Sequence, residues 1–427
     1  MKNIQQILLF TALAVITFSC QDKIEETYLV NEPQYMSYEE LRTSFNVVES
    51  QEIIQPGKLY FKDDLIFVNE YQKGIHVVYN AEPANPVIIK FIEIPGNVDL
   101  AVKGNILYAD SYIDLLAIDI SNLDDIHEVA RIEEAFPYII PEVTEGVIDD
   151  IDETRGVIVG YNKVEKTVEV ESENFHYPEF RTWNESFMAV DIAASAGPAV
   201  SNKGIGVGGS MARFTLYDQY LYAVDISMLR LFDVSNSATP LLEKEVQIGW
   251  DIETIFPYDE KLFIGSRTGM IIFSLDDPSN PEFISNFWHV SSCDPVVVEG
   301  DYAYVTLRAG NLCGNDLSQL DVIDISNIYD PQLVEIYPME EPYGLGIDNS
   351  VLFICDGDAG LKIYNASDPE KITANLLATY PDINAFDVIP LGEVLLMIGV
   401  DGLYQYDYAD LENIHQLSHI PIYDHSK

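Results

Sequence analysis

Positive charge is scarce in this chain: 427 residues carry 23 Lys plus Arg against 70 Asp plus Glu, a formal net charge of −47. A surface this negative repels phosphates instead of releasing counterions from them, which excludes a nucleic-acid role and makes anionic membranes poor partners. Long apolar runs are missing too. The single long one, Ile7 to Phe18, is too short to span a bilayer as a helix. Of the seven histidines, none sits in a His-Glu-x-x-His pattern, and His415 and His419 would be neighbours only in a helix, whereas Gln416-Leu-Ser-His-Ile420 reads as strand. Metal hydrolysis lacks its ligands, no cofactor fingerprint is present, and we assign no catalytic, metal or cofactor residue. Hydrophobic residues at 48% and aromatics at 11% nevertheless supply ample core.

The N-terminus reads as an export signal. Lys2, the apolar run and the small residue Ser19 precede Cys20, so residues 1–19 form a cleavable signal peptide. Thr17-Phe18-Ser19-Cys20 resembles a loose bacterial lipobox, which implies a mature chain starting at a lipidated Cys20. The acidic Gln21-Asp22-Lys23-Ile24-Glu25-Glu26 behind it resembles a surface-export tether. These features place the protein at the outer membrane, on the cell surface or on the periplasmic face, touching the membrane only through its lipid. Residues 20–56 read as that tether, with one short helical turn after Ser37 at Tyr38-Glu-Glu-Leu-Arg42.

Self-comparison exposes a repeat of about 41 residues: an apolar run ending in Asp or Asn, a polar turn, a Pro, and a second apolar run. The anchors are Asn80, Asp119, Asp191, Asp233, Ser274, Asp324, Asn365 and Asp407. Before each lies a pair of β-rich runs around a tight turn, as in Leu345-Gly-Ile-Asp-Asn-Ser-Val-Leu-Phe-Ile354. Four short strands per unit cannot cover both sheet faces alone, so the units must stack radially. Near-continuous apolar runs such as Val296-Val-Val298 fit strands covered on both faces. The expectation is an all-β fold, a β-propeller of four-stranded blades over residues 57–427, with eight blades favoured and seven possible because the unit at Asp191 is poorly formed. Insertions are expected at 139–186 and 309–319.

Leu115-Leu-Ala-Ile-Asp-Ile-Ser-Asn122 and Leu320-Asp-Val-Ile-Asp-Ile-Ser-Asn-Ile-Tyr-Asp-Pro331 resemble the LVIVD repeat, and the chain resembles the uncharacterised Bacteroidetes-type lipoproteins that carry it. The resemblance implies a fold and no particular chemistry.

Within the first insertion, Val157-Ile-Val-Gly-Tyr161 and Lys166-Thr-Val-Glu-Val-Glu171 read as an extended hairpin, followed by the aromatic stretch Phe175 to Trp183. Asp149-Asp-Ile-Asp-Glu153 fails the calcium-loop spacing and reads as a solvated turn. Gly204-Ile-Gly-Val-Gly-Gly-Ser-Met-Ala-Arg213 lacks the Lys of a phosphate loop and the following helix of a nucleophile elbow, and reads as a loop reaching toward the propeller axis. Cys293 and Cys313 are expected to form a disulfide across one rim, closing about 20 residues for roughly 3 kcal/mol, with Cys355 a buried thiol.

That rim gathers Asp99, Tyr112, Trp250, Asp251, Trp288, His289, Tyr343, Asp356 and Asp358 as candidate binding residues. The function expected is a monomeric, non-catalytic binding module for an envelope protein or a glycan. The rivals are a carbohydrate-active hydrolase or lyase using rim carboxylates, and a structural spacer.

Overall fold

The computed structural model describes residues 23–171, 205–210, 212–250, 252–288, 295–309 and 317–422. They fall into two compact units. The smaller one joins residues 1–36 to 140–187; the larger takes the rest of the chain.

In the smaller unit Lys23–Met36 pairs antiparallel with Val157–Glu171 over nearly its whole length, with one irregularity at Gln34/Tyr35, and Val147–Ile148 adds in parallel. The hairpin expected inside the insertion is therefore replaced by one continuous strand. Asn162-Lys163-Val164-Glu165 carries no Gly or Pro to turn the chain, and the distant N-terminal segment satisfies the backbone groups a hairpin would have paired. Tyr35 Oη accepts from Asp152 N at 2.8 Å, and Lys166 Nζ reaches both Glu32 and Asp149. The Asp149 to Glu153 run is accordingly a structural turn, in which Asp152 caps Thr154 N.

The larger unit begins with the helical turn Tyr38–Thr43, capped by Ser37 Oγ, which accepts from Glu40 N at 3.2 Å. Seven antiparallel four-stranded blades follow, at residues 56–93, 100–132, 214–247, 252–288, 296–338, 345–380 and 385–421. The first strand of each blade neighbours the first strand of the next, and blade 7 returns to blade 1. Eight sheets thus exist among the described residues, the eighth being the three-stranded sheet of the smaller unit. The propeller of four-stranded blades is as expected, and its ring numbers seven, the lower of the two counts the repeat left open. The anchor Asp191 lies outside the described residues, and the first strands of blades 2 and 3 touch directly.

The repeat has a local physical cause. Asn80, Asp119, Asp233, Ser274, Asp324, Asn365 and Asp407 all stand at the end of a third strand or one residue beyond it. In six of them the side-chain oxygen accepts from the backbone N–H two residues on, at 2.7 to 3.0 Å. This is an Asx-type turn, which Asp, Asn and Ser all make, so Ser274 and Asn365 are full members of the pattern. The Ser121 and Ser326 hydroxyls, with their N–H groups, hold the Asp119 and Asp324 carboxyls below their ordinary range, and the Ser235 N–H and hydroxyl do the same for Asp233. Asn80 differs, its Oδ1 accepting from Gln405 Nε2 of blade 7 at 2.7 Å. The tight turn between the first two strands of blade 6 has Asn349 and Ser350 both at positive φ (49° and 62°), the geometry a two-residue hairpin needs.

Neighbouring blades pack apolar faces together, and hydroxyls fix their register. Tyr108, Tyr222, Ser285, Tyr337, Tyr380 and Ser418 each donate to a carbonyl in the turn before the next blade's fourth strand, at 2.6 to 2.9 Å. In every blade the third and fourth strands also share a register irregularity, so the outer strand is bulged near its start. Blade 1 is extended at both edges: Asn46–Glu49 pairs with its fourth strand, and Val207–Gly208 with its first.

Candidate functional site

Two kinds of loop share one rim: the lead-in loop of each blade and the loop joining its second and third strands. Carboxylates there are recruited to hold backbone. Glu70, at the end of the second strand of blade 1, accepts from Ile54 N and Gln55 N at 3.0 and 2.8 Å. In blade 2, Asp110 Oδ1 accepts from Val98 N, Asp99 N and Asn97 Nδ2 at 2.8 to 2.9 Å. In blade 6, Asp356 accepts from Glu340 N and Glu341 N at 3.1 and 2.7 Å and pairs with Lys362. In each of these three blades one carboxyl thereby satisfies N–H groups that a strand ladder would leave open.

The candidate residues divide accordingly. Asp356 is fully buried as a brace, and Asp358 is exposed and accepts from Asn384 Nδ2. Tyr112 is buried with φ +53° and lies flat on Gly96, where an added Cβ would stand 2.3 Å from its ring. Tyr343 is clamped: Arg308 stacks over its ring at 4.0 Å, and its hydroxyl donates to Glu341 Oε1 at 3.2 Å. Trp250, in the lead-in loop of blade 4, and Trp288, at the end of that blade's fourth strand, are 66% and 68% exposed. Asp251, His289, the Cys293–Cys313 pair and Cys20 lie outside the described residues. Cys355 is buried, and burial pushes its thiol up.

Asp99 sits deeper. The start of each first strand sets one residue per blade at equivalent register around the axis: Lys58, Asp99, Arg213, Thr254, Pro295, Gly344 and Asp387. The register shifts at Lys58, Thr254 and Asp387, as bulges do where they re-aim a side chain. Lys58 Nζ stands 3.9 Å from Asp99 Oδ2, which also accepts from Arg213 N. Asp99 Oδ1 and Asp387 Oδ1 each accept from the following residue's N–H, while Asp387 Oδ2 has no hydrogen-bond partner among the described residues. Burial dominates these groups, lowering the Lys58 amine and raising the Asp99 and Asp387 carboxyls, with Lys58 pulling both acids partly back. Lys58, Arg213 and Asp387 escaped the sequence reading; the signal available was a charged residue at the start of an otherwise apolar first strand, as in Lys58-Leu-Tyr60 and Phe386-Asp-Val388.

The glycine-rich stretch does reach the axis, and there it acts as a plug. Ile205 bridges Lys103, Gly206 N donates to Val102 O, Ala212 O accepts from Ile255 N, and Ser210, fully buried, accepts from Leu345 N. Four blades are thus tied to it. An added Cβ at Gly206 would lie 2.3 Å from the Tyr60 ring, which is why the approach demands glycine.

Burial raises Asp110 to about 7 against the donors that pull it down. Its folded value lies above the unfolded 3.8, so the associated stability is complete below about pH 4 and lost as pH rises through 7. The thermal midpoint is expected to fall by several degrees between pH 5 and 8, and Asp110→Asn to flatten that slope. An unchanged slope in the variant would assign it elsewhere.

Among the described residues no group of three or more His, Cys, Asp or Glu is placed to hold a metal ion. Residues 96–133 and 292–338 match the LVIVD repeat, and these are blades 2 and 5. No curated protein matches the chain. Among solved structures, the periplasmic gluconolactonase PpgL of Pseudomonas aeruginosa is similar at 9% identity and TM-score 0.52, over 85% of this chain and 96% of that one. The computationally designed protein Ika8 is similar at 10% identity and TM-score 0.47, over 88% and 92%. PorZ of Porphyromonas gingivalis, a surface component of the type-IX secretion system, matches at 11% identity and TM-score 0.46, over 87% of this chain and 39% of its own length. Repeat match and gluconolactonase fold agree with the blades described above: the chain is a β-propeller that carries LVIVD repeats.

Proposed function

We propose that the protein is a non-catalytic binding module, held at the cell envelope by a lipid on Cys20, whose rim at blade 4 takes an envelope protein or a glycan. The observation that carries this reading is the exposure of Trp250 and Trp288 on one rim, whose acids Glu70, Asp110 and Asp356 in blades 1, 2 and 6 are engaged as backbone braces. Exposed tryptophan offers a large, rigid stacking face for sugar rings or apolar side chains. The axial plug turns attention from the channel to the rim.

Glycan-array and pull-down binding with the chain from Gln21 onward tests it. Trp250→Ala with Trp288→Ala is expected to weaken binding at least tenfold without lowering the thermal midpoint; no capture by the parent protein in either assay would overturn the proposal. Labelled fatty acid should enter the full chain and be lost in Cys20→Ser.

One observation favours a second reading. A half-buried acid raised to about 7, as Asp110 is, has the character of a general acid, and Asp99 is its neighbour. A polysaccharide-cleaving enzyme predicts release of reducing ends that Asp110→Asn abolishes; the binding module predicts none.

A further inference from the structure

We propose that the rim at blades 1 to 3 holds a small carboxylate anion, a uronic acid being the fitting class, on the guanidinium of Arg213. Most cations of this acidic chain are already matched. Arg42, Arg131, Arg230 and Arg308 each meet a carboxylate, and Arg155 lies over the Tyr35 ring. Arg213 differs, because only its backbone is engaged: its N donates to Asp99 Oδ2 and its O accepts from Val224 N. Among the described residues nothing bonds or pairs with its guanidinium, so five directed donors stand unmatched in a chain of net charge −47.

The acids beside it are committed elsewhere. Asp99 faces Lys58 and accepts from Leu100 N and Arg213 N, and Asp110 Oδ1 takes its three donors in the lead-in loop of blade 2. Burial lowers the Lys58 amine, Asp99 pulls it back, and the Arg213 charge lowers it further. An anion on Arg213 relieves that repulsion between cations.

Two tyrosines complete the cradle. Tyr71 and Tyr112 each follow the second strand of their blades, 1 and 2, while Arg213 directly precedes the first strand of blade 3. Burial raises the Tyr71 hydroxyl, Arg213 pulls it back and Asp110 pushes it on; Tyr112 is raised to about 12 by burial, with Tyr71 adding to it. Those mutual effects put the two hydroxyls, the guanidinium and the Asp110 carboxyl within electrostatic reach of one another. Tyr71 Oη accepts from Gln72 Nε2 at 3.4 Å, and among the described residues neither phenol has an acceptor for its own hydrogen. Arg213 and Tyr71 are half-buried, so solvent reaches both.

Chemistry selects the occupant. The planar guanidinium fork matches a carboxylate with two parallel hydrogen bonds. Asp99 and Asp110 disfavour a doubly charged phosphate, and the phenols offer partners to the hydroxyls of a sugar acid.

This site is separate from the tryptophans of blade 4. Calorimetry with the chain from Gln21 onward, which retains every described residue, is expected to show glucuronate binding, with glucose weaker by about tenfold or more. Arg213→Met should lose at least tenfold with its thermal midpoint unchanged, since the guanidinium bonds nothing in the fold. Arg213→Lys should recover only part of the loss, because it restores charge without the fork. Tyr71→Phe should weaken glucuronate more than acetate. Bound glucuronate should also shield Arg213 from phenylglyoxal, read by mass spectrometry on the parent protein. Trp250→Ala with Trp288→Ala should leave glucuronate binding unchanged, so failure here and failure of the blade 4 reading are told apart. No binding at millimolar glucuronate, full affinity in Arg213→Met, equal affinity for glucose, tighter binding of inorganic phosphate, or unshielded Arg213 would each overturn the proposal.

Discussion

Lys58→Met is expected to destabilise the propeller by about 3–5 kcal/mol at pH 8, the range seen when one partner of a buried ion pair is removed. The amine faces Asp99 at 3.9 Å and is the cation that pulls both Asp99 and Asp387 back toward ionisation. Without it, two carboxylates are left in a buried ring whose remaining members are Arg213, Thr254, Pro295 and Gly344. Each acid can escape by taking a proton, and their folded values are already raised by burial. The deficit should therefore shrink as pH falls: a raised carboxyl favours the folded state below its folded pKa and disfavours it above. Denaturant unfolding at pH 5 and pH 8 measures this directly, and adding Asp99→Asn should recover part of the loss at pH 8. An equal deficit at both values would mean that Lys58 acts through packing alone.

The second large effect concerns Asp356. Its replacement by Ala removes a fully buried carboxyl and leaves Glu340 N and Glu341 N without that acceptor and the half-buried Lys362 without its partner. An unsatisfied buried group costs about 1–3 kcal/mol, so a loss of about 2–4 kcal/mol is expected, with Asp356→Asn recovering roughly half because it keeps one acceptor oxygen. Folded Asp356→Ala should still bind whatever Trp250 and Trp288 bind. If binding were abolished while the thermal midpoint held, Asp356 would belong to the binding surface after all.

What could be read from the residues follows the range of the interactions. The Asx-type turn after six of the seven third strands spans two residues, so its signature survives as a written repeat, and with it the blades and the strand order within each. The short helix is equally local, since Ser37 and Glu40 lie three positions apart. The pairing of Lys23–Met36 with Val157–Glu171 joins segments more than a hundred residues apart, and no periodicity in either one names the other. The blade number depended on whether the weak copy at Asp191 inserts between blades 2 and 3, a question of closure that only neighbouring first strands answer. Rim acids looked alike as letters. Whether one faces a ligand, as proposed for the neighbourhood of the tryptophans, or its own backbone, as Asp356 does, depends on which N–H groups the lead-in loop leaves unpaired.

Each blade is one uninterrupted stretch of chain, so no strand from one terminus completes a blade begun at the other. Blades 7 and 1 meet as a seam of side chains, Ser418 on Pro83 O, Gln405 on Asn80, and the apolar group around Leu59, Ile66, Ile389 and Leu396. The circle is buckled there instead of interlaced, which makes that joint the natural place for it to spring open under load. It also makes each module portable: a chain recut to begin at blade 4 would turn the buckle into ordinary covalent continuity and shift the gap to the new ends.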